Sequence, residues 1–259
     1  MDFRTRRQLA VLTVVILVVG GIGFWVFQAS LPDPSCQDNS RNQEEEAVDC
    51  GGPCVPCALR EQKPIDVFWA RFVQIRENTY DVAAEIRNPN VRLGATSFDY
   101  EFKLYDTAGV NVVSRRGRSF LYPGETMHLV EIGLLSGRTV RNASLTIGDT
   151  VWVLSDAIGP DIIAGSKEYA TEGGSDRSTS LVKAIVANRG TRDITNIHIS
   201  AVVFDGDGNL LGAHRTVLNA LDAGSSKSVE FAWPTEFASP PASLVVEARS
   251  AALLPGTRP

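Results

Sequence analysis

The chain has 259 residues, enough for one large or two small domains, and 44% of them are hydrophobic, as in ordinary proteins that bury a core. Its formal net charge of −5 argues against nucleic acid or anionic lipid as the partner of the folded region.

An uncharged segment near the start is the first predicted element. Residues 9–27 read LAVLTVVILVVGGIGFWVF, and as a helix they would extend roughly 28 Å, about the hydrocarbon thickness of a bilayer. We therefore predict a transmembrane helix over residues 9–28 that contacts the lipid bilayer. A cleaved signal peptide is the alternative, but Phe24, Trp25 and Phe27 are bulky where cleavage needs small residues.

The charges around this segment predict its orientation. Arg4, Arg6 and Arg7 precede it, and the next basic residue is Arg41. By the positive-inside rule, residues 1–8 form a cytoplasmic stub and everything after the helix lies outside the cytoplasm. We therefore expect a single-pass protein of the cell membrane, with its later domains in a compartment where disulfides persist.

The predicted stalk, residues 29–64, contains every cysteine of the chain. Cys36, Cys50, Cys54 and Cys57 have the spacing C-x13-C-x3-C-x2-C. Two disulfides are expected, with three possible pairings, because the segment has too few apolar residues to build a core. A zinc site or a redox C-x-x-C is disfavoured, since the spacing lacks paired knuckles and no βαβ pattern surrounds it.

Oxygen-bearing side chains are regularly spaced between the first two cysteines. Asp38, Asn42, Glu45 and Asp49 are residue types that calcium prefers, and a disulfide-closed loop could aim them at one point. They are our candidate calcium ligands. The alternative is a solvated acidic turn in which Asp38 caps local backbone amides.

The stalk resembles a short cysteine module found in many secreted and surface proteins. The shared pattern is C-x-D-x3-N-x2-E-x3-D-C-G-G-x-C-x2-C, and it covers residues 36–57; Asn39 stands where Gly is common. The resemblance implies a small extracellular spacer that an ion could stabilise.

Alternating apolar residues follow the stalk. Tyr80, Val82, Ala84 and Ile86 alternate with smaller or charged residues, and residues 98–104 do the same. Period-two patterns separated by Gly, Asn, Asp and Pro predict half-buried strands of an all-β sandwich.

An internal repeat then predicts two domains. Landmarks recur at a period near 100: Asn88 is echoed by Asn188, residues 104–109 by residues 203–208, and residues 121–124 by residues 221–224. We expect two tandem β-sandwiches over residues 65–157 and 160–250, followed by a flexible tail over residues 251–259. The acidic segment 205–209 fits a hairpin turn better than an EF-hand, because Leu210 replaces the required Gly.

The first repeat resembles the F-x-L-Y-D class of immunoglobulin-like modules found on prokaryotic surfaces. Phe102, Leu104, Tyr105 and Asp106 supply the motif, and the second copy departs from it while keeping the other landmarks. The resemblance implies immunoglobulin-like folds without implying an activity.

Catalytic and basic patterns are weak. His128, His198 and His214 are scattered without metal-ligand spacing, so we expect solvated or hydrogen-bonded surface roles. Residues 180–183 match S-x-x-K by letter, yet they begin a predicted strand rather than a helix. Residues 115–118, RRGR, are expected on a loop that could meet an acidic polymer.

Together these patterns predict a non-enzymatic protein with no cofactor beyond a possible calcium ion. We expect a membrane-anchored scaffold for a protein or cell-surface partner, with no nucleic-acid role. The alternative is an accessory subunit of a membrane secretion, pilus or transport assembly, in which the span contacts partner helices through Gly20, Gly21 and Gly23.

Overall fold

The structure is a computed structural model that describes residues 3–30, 35–42, 44–174 and 177–256. Residues 1–2 of the predicted stub, 31–34 and 43 of the predicted stalk, 175–176 of the second predicted sandwich and 257–259 of the predicted tail lie outside the described residues. The chain divides into two compact units, Met1–Arg60 and Glu61–Pro259.

The first unit begins with α1 (Phe3–Ser30), so the helix expected over residues 9–28 is present. The large apolar side chains described between Leu9 and Trp25 are 44% to 70% exposed. In the described residues, no helix has both the length and the apolar content required of a membrane span.

Two disulfides fix the rest of this unit. Cys36 pairs with Cys54 and Cys50 pairs with Cys57, with Cα–Cα distances of 5.6 and 4.9 Å. The bridges therefore interleave along the chain, and this is one of the three pairings that the sequence allowed. A short helix, α2 (Cys57–Arg60), ends the unit.

The second unit is all-β in the described residues, and its strands form two copies of one topology. The first copy has two three-stranded antiparallel sheets, ordered β1-β2-β5 and β4-β3-β6. Its strands are β1 (Asp66–Arg76), β2 (Thr79–Arg87), β3 (Leu93–Asp106), β4 (Asn111–Leu121), β5 (Thr126–Leu135) and β6 (Val140–Leu154).

The second copy repeats this arrangement, with sheets ordered β11-β8-β7 and β10-β9-β12. Its strands are β7 (Ile162–Gly174), β8 (Arg177–Asn188), β9 (Ile194–Phe204), β10 (Leu210–Leu221), β11 (Ser226–Trp233) and β12 (Ser243–Arg249). The tandem arrangement predicted from the repeat is confirmed at the level of paired, sandwich-like sheets.

Each copy has its own core. In the first, the alternating residues of β2 meet those of β3, so Val82 and Ile86 are buried with Phe98, Phe102 and Leu104. In the second, a corresponding core includes Val182, Val186, Ile197 and Phe231. The predicted alternation therefore places the core-facing side chains correctly.

A buried asparagine holds the same position in both copies. The Asn88 Nδ2 donates to the carbonyls of Leu93 and Tyr122 at 2.6 and 2.9 Å. The Asn188 Nδ2 donates to those of Arg192 and Leu221 at 2.8 and 3.0 Å. One side-chain amide thus satisfies two buried carbonyls in each copy, which explains why this landmark recurs.

The acidic segment after β9 is a hairpin turn, as predicted. The Asp205 Oδ1 accepts from the backbone N–H groups of Asp207 and Asn209 at 2.9 and 2.8 Å. Gly208 has φ +77°, a conformation that glycine adopts without steric cost. Asp106 caps the matching turn of the first copy through Ala108 and Val110.

The two copies pack broad face against broad face. Ala83 and Val130 on the outer side of the β1-β2-β5 sheet contact Val202, Leu210 and Ala213 on the outer side of the β10-β9-β12 sheet. As a result β2 is buried on both faces, contrary to the half-buried strand that alternation predicts.

The segment after β12 differs from the expected flexible tail over its described part. Leu254 is buried against Phe120 and Tyr122, with Ala251 packed beside them. The Leu253 backbone N–H donates to the Tyr122 hydroxyl at 3.2 Å. Residues 251–256 are therefore part of the folded unit.

Candidate functional site

The predicted calcium ligands form a hydrogen-bonded network in the stalk. Glu45 is buried, and its Oε2 accepts from the backbone N–H groups of Asn42 and Asp49, both at 3.2 Å. The Asp49 Oδ1 accepts from the backbone N–H of Asn39 at 3.0 Å. These carboxylates connect parts of a loop that has few apolar contacts to hold it.

Asp38 extends the network. Its carboxylate accepts from the side chain of Asn42 at 2.7 Å and from the backbone N–H groups of Ser35 and Ser40 at 3.1 and 2.8 Å. These hydrogen bonds hold the pKa of Asp38 below its usual value, and the bond from the Asn42 side chain contributes most to this shift. The capping role considered for Asp38 is therefore present.

The carboxylates of this network do not converge on one point. In the described stalk, the only three Cys, Asp, Glu or His side chains with potential ligand atoms within 4.8 Å of one another are Cys36, Glu45 and Cys54. Since Cys36 and Cys54 are joined in a disulfide, they offer no thiolate to a metal. Asp38 and Asp49 accept hydrogen bonds from the loop backbone, and Asp38 is also bonded to the Asn42 side chain.

The interface between the two copies carries a set of polar contacts around its apolar centre. The Arg249 guanidinium forms two bonds to the Glu125 carboxylate, at 2.6 and 2.8 Å, and donates to the Phe120 carbonyl at 2.8 Å. The guanidinium also lies 4.5 Å from the centre of the Phe120 ring. The first copy therefore contacts the Arg249 guanidinium through a carboxylate, a backbone carbonyl and an aromatic ring.

A second contact joins His128 to Glu247. The Glu247 carboxylate accepts from the His128 backbone N–H at 2.9 Å and meets its Nδ1 at 2.7 Å. Burial by itself raises the pKa of Glu247, but the bonds to His128 and the charge of Arg249 bring it below its usual value. Glu247 is therefore ionised at neutral pH and holds the imidazole in place.

A third contact is built around Glu131, which is 3% exposed. Its carboxylate accepts from the Tyr100 hydroxyl at 2.8 Å and pairs with the Arg215 guanidinium at 3.0 Å. Burial, together with the Glu131 charge, raises the pKa of Tyr100 above its ordinary value. Tyr100 therefore acts as a neutral hydrogen-bond donor.

An open cleft of about 390 Å³ adjoins these contacts, and we call it the inter-copy cleft. The first copy contributes Tyr100 and residues 118–120 and 127–130 to its lining, and the second contributes residues 198–200 and 215–217 together with Arg249. The cleft is within the size range of small-molecule sites in proteins.

The structure changes the interpretation of the three histidines. His128 is largely buried at the interface, and His214 lies in β10 against the rings of Phe231 and Trp233, so neither has the solvated surface role that was expected. Burial lowers the pKa of His214. His198 is exposed, as its expected surface role requires, and lines the inter-copy cleft.

The basic cluster also differs from its prediction. Residues 115–118 lie in β4 rather than on a loop. Arg116 and Arg118 pair with Glu101 and Asp99 of the neighbouring strand at 3.0 and 2.7 Å. Of these residues Arg118 reaches the cleft lining, a role that its sequence context did not indicate.

Trp69 is a further residue of the interface between the two copies. A register shift between Val67 and Trp69 turns the indole toward the second copy, where its ring lies 5.7 Å from that of Phe204. Phe72 faces the first core instead, and Phe68 is exposed. The aromatic side chains of β1 are thus divided among the first core, the interface and the exposed surface.

No family model matches this chain, and no curated protein matches it. Among solved structures, it is similar to the crystal structure of calcium binding domain CBD12 of CALX1.1, with 15% identity, a TM-score of 0.19 and coverage of 63% of this chain and 75% of that one. It is also similar to the CBM22-1-CBM22-2 tandem domain from Paenibacillus barcinonensis Xyn10C, with 11% identity, a TM-score of 0.15 and coverage of 73% and 84%. At these TM-scores neither similarity bears on function.

Proposed function

We propose that this protein is a membrane-anchored scaffold that displays its second unit outside the cytoplasm for a protein or cell-surface partner, and that it has no catalytic activity. The observation that carries the proposal is the wide exposure of large apolar side chains along α1, between Leu9 and Trp25. Side chains of this kind need an apolar environment, and a lipid bilayer supplies one.

The paired cysteines support the extracytoplasmic part of the proposal. All four are in disulfides, and such bonds persist in oxidising compartments. The three arginines before the apolar segment favour a cytoplasmic N-terminus.

We further propose that both copies belong to the F-x-L-Y-D class of immunoglobulin-like modules. In the first copy, the motif residues Phe102 and Leu104 are buried in the core, and Asp106 caps the turn that follows β3. The matching strand order of the second copy supports a common class.

Topology reporters test the anchor. A periplasmic-type reporter enzyme fused after residue 256 should be active only when α1 is intact, and the protein should remain in the membrane fraction after a carbonate wash. A reporter that is active only in the cytosol, or a protein that the wash releases, would overturn the proposal.

An accessory subunit of a membrane assembly is the second candidate. Gly20 and Gly23 lie about one turn apart on α1 and carry no side chain, so they would let a partner helix approach closely. Replacing α1 by an unrelated membrane helix separates the candidates, since a scaffold keeps its partner and an assembly subunit loses it.

Calcium binding by Asp38, Asn42, Glu45 and Asp49 stays a separate proposal. The buried Oδ1 of Asn42, which has no hydrogen-bond partner in the described part of the stalk, is its structural support. Millimolar Ca²⁺ should then protect residues 36–57 from proteolysis under oxidising conditions. Equal cleavage with Ca²⁺ and with EDTA would show that internal hydrogen bonds alone hold the loop.

A further inference from the structure

We propose that the inter-copy cleft binds a small amphipathic anion, namely a carboxylate or phosphate group carried on an apolar body. The proposal is independent of the membrane anchor, because it depends only on contacts within the second unit. Neither copy forms the cleft alone, so the site exists because the copies are packed together.

The charged groups in the lining are all of one sign. Arg118, Arg215 and Arg249 line the cleft together with His128 and His198, while its described lining contains no carboxylate. Asp99, Glu131 and Glu125 pair with the three guanidinium groups but are not part of the lining. The acids thus orient the arginines and leave cationic groups facing the cleft.

The arginines keep hydrogen-bonding capacity. A guanidinium has five N–H donors in a planar fork. Arg118 uses its Nε for Asp99, and Arg215 uses its Nη2 for Glu131. Their remaining donors can engage an oxyanion, which is the geometry that arginine favours with carboxylate and phosphate.

His198 is the titratable group of the lining without a carboxylate partner. His128 has Glu247, whereas the described contact of the His198 ring is with Phe120, 6.1 Å between ring centres. Partial shielding of its ring from water, followed by the charges of Arg249 and Arg215, lowers the pKa of His198, although the residue as a whole is exposed. Two guanidinium groups therefore act on this imidazole, and each of them is itself paired with a carboxylate that lies outside the lining.

The rest of the lining is apolar. Phe120, Met127, Leu129 and Ile199 lie beside the cationic groups. A fully hydrated inorganic ion would leave this surface uncovered, whereas a ligand with an apolar body would bury it. The combination favours an organic anion over inorganic phosphate.

The three histidines can report on ligand binding, because His198 and His128 line the cleft and His214 does not. In full-length protein in an uncharged detergent, with ¹³C-labelled histidine rings, phenyl phosphate or benzoate should shift the signals of His198 and His128 and leave His214 unchanged. Inorganic phosphate and benzyl alcohol should each bind at least roughly tenfold more weakly than the organic anions. Inorganic phosphate lacks the apolar body, and benzyl alcohol lacks the anionic group. The relative response to phenyl phosphate and benzoate separates a phosphate ligand from a carboxylate ligand.

A matched pair of variants completes the test. Arg118→Gln should weaken binding roughly tenfold, the size of one charge-assisted hydrogen bond. Arg116→Gln, which removes the same charge from the same strand outside the cleft lining, should leave affinity unchanged. Three results would overturn the proposal: no shift at His198 up to about 10 mM of either organic anion, equal binding of benzyl alcohol, or equal effects of the two variants.

Discussion

Arg249 and Glu125 are 124 residues apart in the chain and form a bidentate salt bridge across the two copies, with bonds of 2.6 and 2.8 Å. The pair is largely buried, since the Arg249 side chain is 11% exposed. Its geometry fixes the second copy against the first.

Removing one member of this pair should destabilise the second unit. We expect Arg249→Ala to lower the free energy of unfolding by roughly 2 to 4 kcal/mol, because Glu125 would keep a partly buried charge without its partner. Arg116→Ala breaks an exposed pair and should have little effect on Tm. Chemical denaturation of both variants checks the difference, and equal stability would contradict the clamp.

Asp81 should make stability depend on pH. It is 2% exposed, and its burial raises its pKa to about 6, although the Gly133 N–H donates to its Oδ1 at 2.7 Å. Because the folded state holds the proton more tightly than the unfolded state, the contribution of Asp81 to stability should fall as the pH rises from about 4 to 6 and stay lower above that range.

Asp81→Asn should therefore stabilise the protein at pH 7.5, by up to about 3 kcal/mol for a pKa shift of roughly two units. The amide oxygen can still accept from Gly133. The exposed Asp149→Asn is the matched control and should change little. Unfolding curves of the wild type and of Asp81→Asn between pH 4 and pH 8 give the measurement, and a stability difference between them that does not change with pH would refute the argument.

The buried asparagines should be equally important in both copies. Asn88→Ala and Asn188→Ala each leave two carbonyls without their donor, so we expect a loss of roughly 2 to 4 kcal/mol for each variant. The exposed Asn111→Ala, which loses a bond to Ser114 alone, should cost far less. If only one of the two buried positions mattered in urea denaturation, the structural equivalence of the copies would be in question.

The disulfides should stabilise the stalk alone. Cys36→Ser with Cys54→Ser removes the bridge that closes the longer loop, worth about 3 kcal/mol to a segment with almost no core. Limited proteolysis should then cut residues 35–57 faster, while the thermal unfolding of the second unit stays the same. An equal shift in that unfolding would mean that the two units are not independent.

The features of the fold that depend on local sequence patterns could be predicted. Period-two alternation identified the core residues of β2 and β3, and the repeat of Asn88 at Asn188 identified the second copy. The turns at Asp106 and Asp205 followed from residue types that favour them.

Contacts between the copies could not be predicted in this way. Ala83 and Val130 are ordinary strand residues, and nothing near them in the chain indicates that Leu210 covers them. His128 looked isolated because Glu247 is 119 residues away. Arg118 and His198 were judged by their neighbours in the chain, whereas the cleft that they line exists only after two domains have packed.

Because β1-β2-β5 packs against β10-β9-β12, the other sheet of each copy, β4-β3-β6 or β11-β8-β7, is the one whose outer face is not covered by a sheet of the other copy in the described residues. On β4-β3-β6 the acids Asp99 and Glu101 form ion pairs with arginines, and on β11-β8-β7 Lys183 lies near Glu172 and Glu230. A protein that docks on either surface through ion pairs to these charged groups should bind more weakly as the ionic strength of the medium rises.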